Sequence, residues 1–187
     1  MPRVTFVKSA RKENPVAKVG EPYYWWKFRY GGKRYSLTAP RRSQLTQSAH
    51  YGAIYDIEDE IGNFSPDREL EEQTKECADL ALDTAKESAQ ELIDGLKDQL
   101  AELGETAQES LDNMPEALQE APTGELLQSR IDGCENAVNE LDCIDFDDIE
   151  VGEVEEDGDL SDLFDTAMDE VESRVQEIDI SEAMGDG

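Results

Sequence analysis

The residues best suited to chemistry lie in one run, Tyr23-Tyr24-Trp25-Trp26-Lys27-Phe28-Arg29-Tyr30-Gly31-Gly32-Lys33-Arg34-Tyr35-Ser36-Leu37-Thr38. Flat rings interleaved with cations offer stacking surfaces and phosphate contacts together, the combination used on nucleic acid. Tyr23, Trp25, Lys27, Arg29, Lys33, Arg34, Arg41 and Arg42 are therefore the candidate nucleic-acid-binding residues. A solvated face whose charges only keep a sticky hairpin soluble is the competing reading. Catalytic chemistry has no comparable foothold. His50 is the single histidine, and Walker, GxSxG and HExxH patterns are missing. Cys77, Cys134 and Cys143 are too widely spaced for a zinc site. They read as reduced thiols, with a Cys77–Cys134 disulfide requiring an oxidising compartment. The expectation is a non-enzyme without cofactor or metal.

The elements that must position the run follow from its pattern. Gly31-Gly32 between β-favouring residues predicts a two-residue hairpin turn. That turn sets Tyr30 opposite Lys33, Arg29 opposite Arg34, Phe28 opposite Tyr35 and Trp26 opposite Leu37. Tyr24, Trp26, Phe28, Tyr30, Tyr35 and Leu37 then form the buried face, and Tyr23, Trp25, Lys27, Arg29, Arg34 and Ser36 the open one. A hairpin alone is marginal, so residues 3–12 are expected to add a third strand, with Val4 and Phe6 on one face. Residues 13–22 read as loop. A helix capped by Ser43 and reaching about Ile61 is expected to cover the sheet through Ile54, Ile57 and Ile61.

Three strands and a helix, with this aromatic–basic strand, the Gly31-Gly32-Lys33-Arg34 turn and the aromatic return strand, resemble the small arm-type DNA-binding domain of phage tyrosine integrases. The resemblance covers about a third of the chain, and no integrase catalytic core follows. The run from Tyr23 through Thr46 also looks like the start of tailed-phage accessory proteins of uncharacterised function. It implies an origin and assigns no activity.

Charge separates this head from the rest. Over 187 residues the net charge is −29, yet residues 1–50 carry eleven Lys/Arg against two Glu. The head is thus +9 and residues 51–187 are −38. Such asymmetry speaks of partners. From Ala78 the apolar spacing becomes helical: Ala78, Leu82, Ala85, Ala89, Leu92, Leu96 and Leu103, then Ala107, Leu111, Met114 and Leu118, then Leu127, Ile131, Cys134, Val138 and Leu141. Gly104 and Pro122-Thr123-Gly124 mark turns, giving helices over 66–103, 105–120 and 124–142. The first and last can pair antiparallel, or 78–103 can form a homodimeric coiled coil.

Residues beyond Cys143 are rich in acids and read as a disordered linker. An EF-hand placed on Gly158 fails because Phe164 stands where the bidentate Glu belongs. A terminal amphipathic helix follows. Leu160, Leu163, Phe164, Met168 and Val171 on its stripe are candidate partner-binding residues, and packing back onto the body is the alternative.

The expected architecture is α+β. A basic β-rich head at 1–62 carries a small antiparallel sheet, a hairpin plus a third strand, with a helix. An acidic helical hairpin or coiled-coil body occupies 63–143, and 144–187 is a partly disordered acidic tail with the terminal helix. The leading functional expectation is a phage-type accessory protein that binds DNA or RNA with low specificity and an unknown protein through its acidic helices. The alternatives are an acidic DNA-mimic inhibitor of a host DNA-binding protein and a structural coiled-coil component of a particle. No apolar run approaches the roughly 20 residues of a membrane span. Without a secretory pattern at its N-terminus, the chain is expected in the cytoplasm, the host's if the origin is phage.

Overall fold

Strands β1 (Thr5–Val7), β2 (Tyr23–Lys27) and β3 (Lys33–Ser36) form an antiparallel sheet in the order β1-β2-β3. They belong to a computed structural model that describes residues 1–70, 72–153 and 159–185. The hairpin does not use the two-residue turn. Neither Gly31 nor Gly32 adopts positive φ, so the primed turn that a Gly-Gly pair permits is not made. The chain reverses over Arg29-Tyr30 instead, with the Gly31 N–H donating to the Phe28 carbonyl at 3.3 Å. Pairing becomes Tyr24↔Ser36, Trp25↔Tyr35, Trp26↔Arg34 and Lys27↔Lys33. The offset from the expected register is odd, so β3 presents the opposite set of side chains to each face. Of the six residues expected to be buried only Trp26 is; Tyr30 is 83% exposed and Leu37 56%.

The third strand forms as expected but is short, and β1 pairs Phe6 with Tyr24 and Thr5 with Trp25. Residues 13–22 are loop, turned by Asn14, whose Oδ1 accepts from the Val16 and Ala17 amides at 3.0 and 2.9 Å. Ser43 starts only a 3₁₀ turn, Ser43–Leu45. The α-helix α1 runs Ala49–Gly62, where the Tyr51 amide donates to Ser48 Oγ. Ile54, Ile57 and Ile61 are all buried. The chain divides inside this helix into two units, Met1–Asp56 and Ile57–Gly187, which assigns Ile57 and Ile61 to the second.

The second unit is helical. Thr74 caps α2 (Lys75–Asp112) by accepting from the Cys77 amide, so the helix starts well after Pro66. It runs straight through Gly104. That glycine marks a close approach and no turn, because an added Cβ would lie 3.4 Å from Cys134 Cβ. The buried seam is Ala78, Leu82, Ala85, Ala89, Ile93, Leu96, Leu100 and Ala107, so Ile93 and Leu100 replace Leu92 and Leu103. Two consecutive four-residue steps keep the average near the 3.6 of a straight helix, which removes the basis for a sustained heptad coil. Of the expected 105–120 helix, the first part through Asp112 continues α2, and only the short α3 (Glu116–Gln119) stands apart.

Helix α4 (Pro122–Leu141) begins where a turn was expected, with Pro122 in its first turn. Gly124 is required there, since any Cβ would fall 1.9 Å from the Gln119 carbonyl oxygen. α4 pairs antiparallel with α2, as Lys97 against Asp142 (2.8 Å) and Gly104 against Cys134 show. Residues 144–153 pack rather than stray: Phe146, Ile149 and Val151 are buried. The linker expectation for 154–158 lies outside the described residues. Asp159 caps α5 (Leu160–Gln176), and a 3₁₀ turn at Ser181–Met184 lies so close to α4 that a Cβ on Gly133 would meet the Glu182 carbonyl at 2.1 Å. No described helix is long and apolar enough to cross a membrane.

Candidate nucleic-acid interface

Register determines what the sheet offers. Alternation sends Tyr23, Trp25, Lys27, Lys33 and Tyr35 to one face, with Thr5 and Val7 beside them. Tyr23, Trp25 and Tyr35 are half-buried, while Lys27 and Lys33 are exposed. Tyr23 and Tyr35 lie 6.1 Å apart between ring centroids, and the Lys33 ammonium sits 4.6 Å from the Trp25 ring centroid. Lys27 and Lys33 face each other directly, a like-charge pair that disfavours the hairpin unless an anion shares them. The platform is thus three rings with a cationic row at one end.

The opposite face holds Phe6, Tyr24, Trp26, Arg34 and Ser36. Phe6 and Tyr24 pair at 4.8 Å, and Trp26 anchors the unit's small core with Ala10, Ala17 and Ile54. Of the eight expected nucleic-acid residues, the structure brings Tyr23, Trp25, Lys27 and Lys33 onto one surface. Arg34 is carried to the other face by the register, and Arg29 sits in the turn, its guanidinium 5.2 Å from the Tyr30 ring. Arg41 is exposed before the 3₁₀ turn, and Arg42 lies over Tyr55 at 4.2 Å. Tyr35 is the functional candidate that the sequence reading sent to the wrong face. Only the true turn length would have recovered it.

The partner-binding expectation fares differently. Phe164, Met168 and Val171 are 2%, 0% and 0% exposed, and Leu160 and Leu163 are half-buried. The stripe of α5 is consumed in packing, chiefly against α2, and offers no apolar docking face. The same holds for the α2 seam. Ala78, Leu82, Ala85, Ala89 and Leu96 are covered within the chain, so a homodimer through 78–103 would first have to vacate them.

What the helical unit does expose is acid. Glu76, Asp79, Asp83, Glu87, Glu91, Asp94, Asp98, Glu102, Glu105, Glu109 and Asp112 recur about once per helical turn, roughly 5.4 Å apart, on the side of α2 away from its seam. Three carboxyl groups among the described residues are pulled below their usual range. Lys97 and Gln90 do this to Asp94, Arg174 to Asp148, and Ser181 to Asp179. The three cysteines are free thiols, and burial pushes Cys134 up to about 11. Among the described residues no three His, Cys, Asp or Glu side chains group to hold a metal ion. No family model, curated protein or solved structure matches this chain.

Proposed function

We propose that this is a non-enzymatic nucleic-acid-binding accessory protein of the cytoplasm, of the phage-type kind that residues 23–46 resemble, whose sheet unit contacts the nucleic acid with low sequence preference. One observation carries the reading: Tyr23, Trp25 and Tyr35 stay partly exposed on a single face that ends in the opposed Lys27–Lys33 pair. Isolated apolar surface on a protein is ordinary, but rings and paired cations on one flat face match what a base-and-phosphate ligand requires. The +9 charge of residues 1–50 supplies attraction toward any polyanion. Titrating the full chain with labelled oligonucleotides at several salt concentrations tests this. Binding that weakens steeply with salt, and weakens again when Lys27 and Lys33 are both changed to Gln, is the expected result. Binding that ignores both changes removes the sheet face from the function.

A second reading has its own observation, the carboxylate stripe along α2. One negative charge per helical turn is sparser than a DNA strand's one per about 3.4 Å, but it is regular. It supports a DNA-mimic role toward a basic DNA-binding protein. Changing Glu87, Glu91, Glu102 and Glu105 to Gln should then abolish capture of such a protein, and DNA should compete with the capture.

A further inference from the structure

The aromatic–lysine face is more selective in its geometry than a general polyanion patch. Trp25 and Tyr35 are direct cross-strand partners, and Tyr23 lies diagonal to Tyr35 at 6.1 Å. Their rings are partly exposed on a sheet surface whose strand residues include no Asp or Glu: those sharing it are Thr5, Val7, Tyr23, Trp25, Lys27, Lys33 and Tyr35. The lysine row lies one pleat from the Trp25–Tyr35 row, about 7 Å along the strands. Rings and cations are therefore offset along one direction, as bases and phosphates are along a strand.

Building on the nucleic-acid reading above, we infer that this face takes unpaired nucleic acid, single-stranded DNA or RNA, by stacking bases on Trp25, Tyr35 and Tyr23 while Lys27 and Lys33 hold the adjoining phosphate. A duplex does not suit it. In paired DNA each base has both π-faces covered by its neighbours, and what remains in the grooves is read by hydrogen-bonding side chains. Here the central side chains are indole and phenol rings on a flat sheet, which only a splayed base can cover. The Lys33 ammonium over Trp25 does not bar the site. An exposed cation–π contact is weaker than base stacking, and a phosphate draws the ammonium off the ring on its flexible stem. Lys33 and a stacked base thus address the same ring of Trp25. The opposed Lys27–Lys33 pair gains a shared counter-charge at the same moment.

The test uses the full chain with fluorescein-labelled oligothymidylate, oligouridylate and a self-complementary hairpin duplex of matched phosphate count, at one salt concentration. The single strands are expected to bind at least tenfold more tightly than the duplex. Trp25→Ala should weaken single-strand binding about tenfold, the loss of one stacked base, and leave duplex binding unchanged. Trp25→Phe should restore most of it. Trp26, buried on the other face, reports by its emission that each variant remains folded. Oligothymidylate against oligouridylate distinguishes DNA from RNA as the source of the strand. A duplex that binds as well as the single strands overturns the inference and leaves the nucleic-acid reading standing. So does Trp25→Ala binding single strands like the parent chain. Equal displacement by polyglutamate would mark the face as an anion patch and overturn it too. Absence of binding to any of the three oligonucleotides overturns both.

Discussion

In the sheet unit most large side chains remain partly exposed, and only Ala10, Ala17, Trp26 and Ile54 are buried apolar residues. In the helical unit the apolar stripes of α2, α4 and α5 close on one another, with Leu96, Leu100, Phe164, Met168 and Val171 at 2% exposure or less. The comparison separates what each sequence pattern is for. Amphipathic helices in one chain find each other, and their apolar stripes report the fold. Rings on a short three-stranded sheet have too little chain around them to be covered, so their exposure is available to a ligand. A search for function that begins from hydrophobic stripes is led to α5. One that begins from what stays uncovered is led to Trp25.

The largest effect that sharpens this contrast belongs to Phe164. If its stripe is core, Phe164→Ala should cost about 3–5 kcal/mol in urea unfolding of the helical unit. Oligonucleotide binding by the sheet unit should not change. A loss below about 1 kcal/mol would mean that α5 is readily detached, and its stripe would again be open to a partner.

Thiol chemistry gives the next measure. Burial raises Cys134 to about 11 from 9.0, which lowers its thiolate fraction at neutral pH about a hundredfold before access is considered. Exposed Cys143 should therefore be alkylated in the native protein while Cys134 reacts only on unfolding, as peptide mapping by mass spectrometry would show. Early labelling of Cys134 would reveal that α2 and α4 part easily at Gly104. On the sheet, Lys27→Gln with Lys33→Gln should lower the slope of log binding constant against log salt by about 0.7, the one single-strand phosphate that the pair shares. The same pair of changes should leave stability unchanged or slightly raised, because the opposed charges are gone.

Much of this was legible in the residues. The aromatic–basic run is a sheet, the third strand pairs where residues 3–12 placed it, and α2 and α4 lie antiparallel. What failed is what local pattern cannot carry. Gly31-Gly32 permits a primed turn without enforcing one, and a longer turn changed the partner of every residue in β3. Gly104 and Gly124 read as breakers because glycine is poor in helices. Packing decides instead: a side chain on Gly124 would strike the Gln119 backbone where α3 meets α4, whereas at Gly104, facing Cys134, the helix simply continues. Acid-rich residues 145–151 read as linker because charge hides the spacing of Phe146, Ile149 and Val151, which anchor that segment.

The smallest effect concerns how that acidic segment is held. Arg174 donates through both terminal nitrogens to Asp148, at 2.5 and 2.8 Å, to the Asp145 carbonyl at 2.7 Å, and through Nε to Glu170 at 3.0 Å. Glu170 is a second carboxylate whose pairing is lost with Arg174 and on acidification. The hydrogen bonds from Arg174 hold the Asp148 carboxyl below its ordinary 3.8. A depressed carboxyl favours the folded state fully above its unfolded value, and that contribution disappears as the pH falls through the lower folded one. Both groups lie at the surface, so salt should weaken the effect. Arg174→Gln should accordingly lower the melting temperature slightly at neutral pH, and the gap to the parent chain should narrow on acidification below about 4. Part of the gap will persist, because the contact with the Asp145 carbonyl does not titrate. Asp94 and Asp179, held down by Lys97 and by Ser181, are untouched by the change and keep a common acid sensitivity in both proteins. A gap independent of pH would assign the whole effect to the carbonyl contact and to packing. Oligonucleotide affinity should not follow this substitution at any pH. If it did, the acidic segment would be acting on the sheet's ligand, and the division between an exposed aromatic face and a self-contained helical unit would fail.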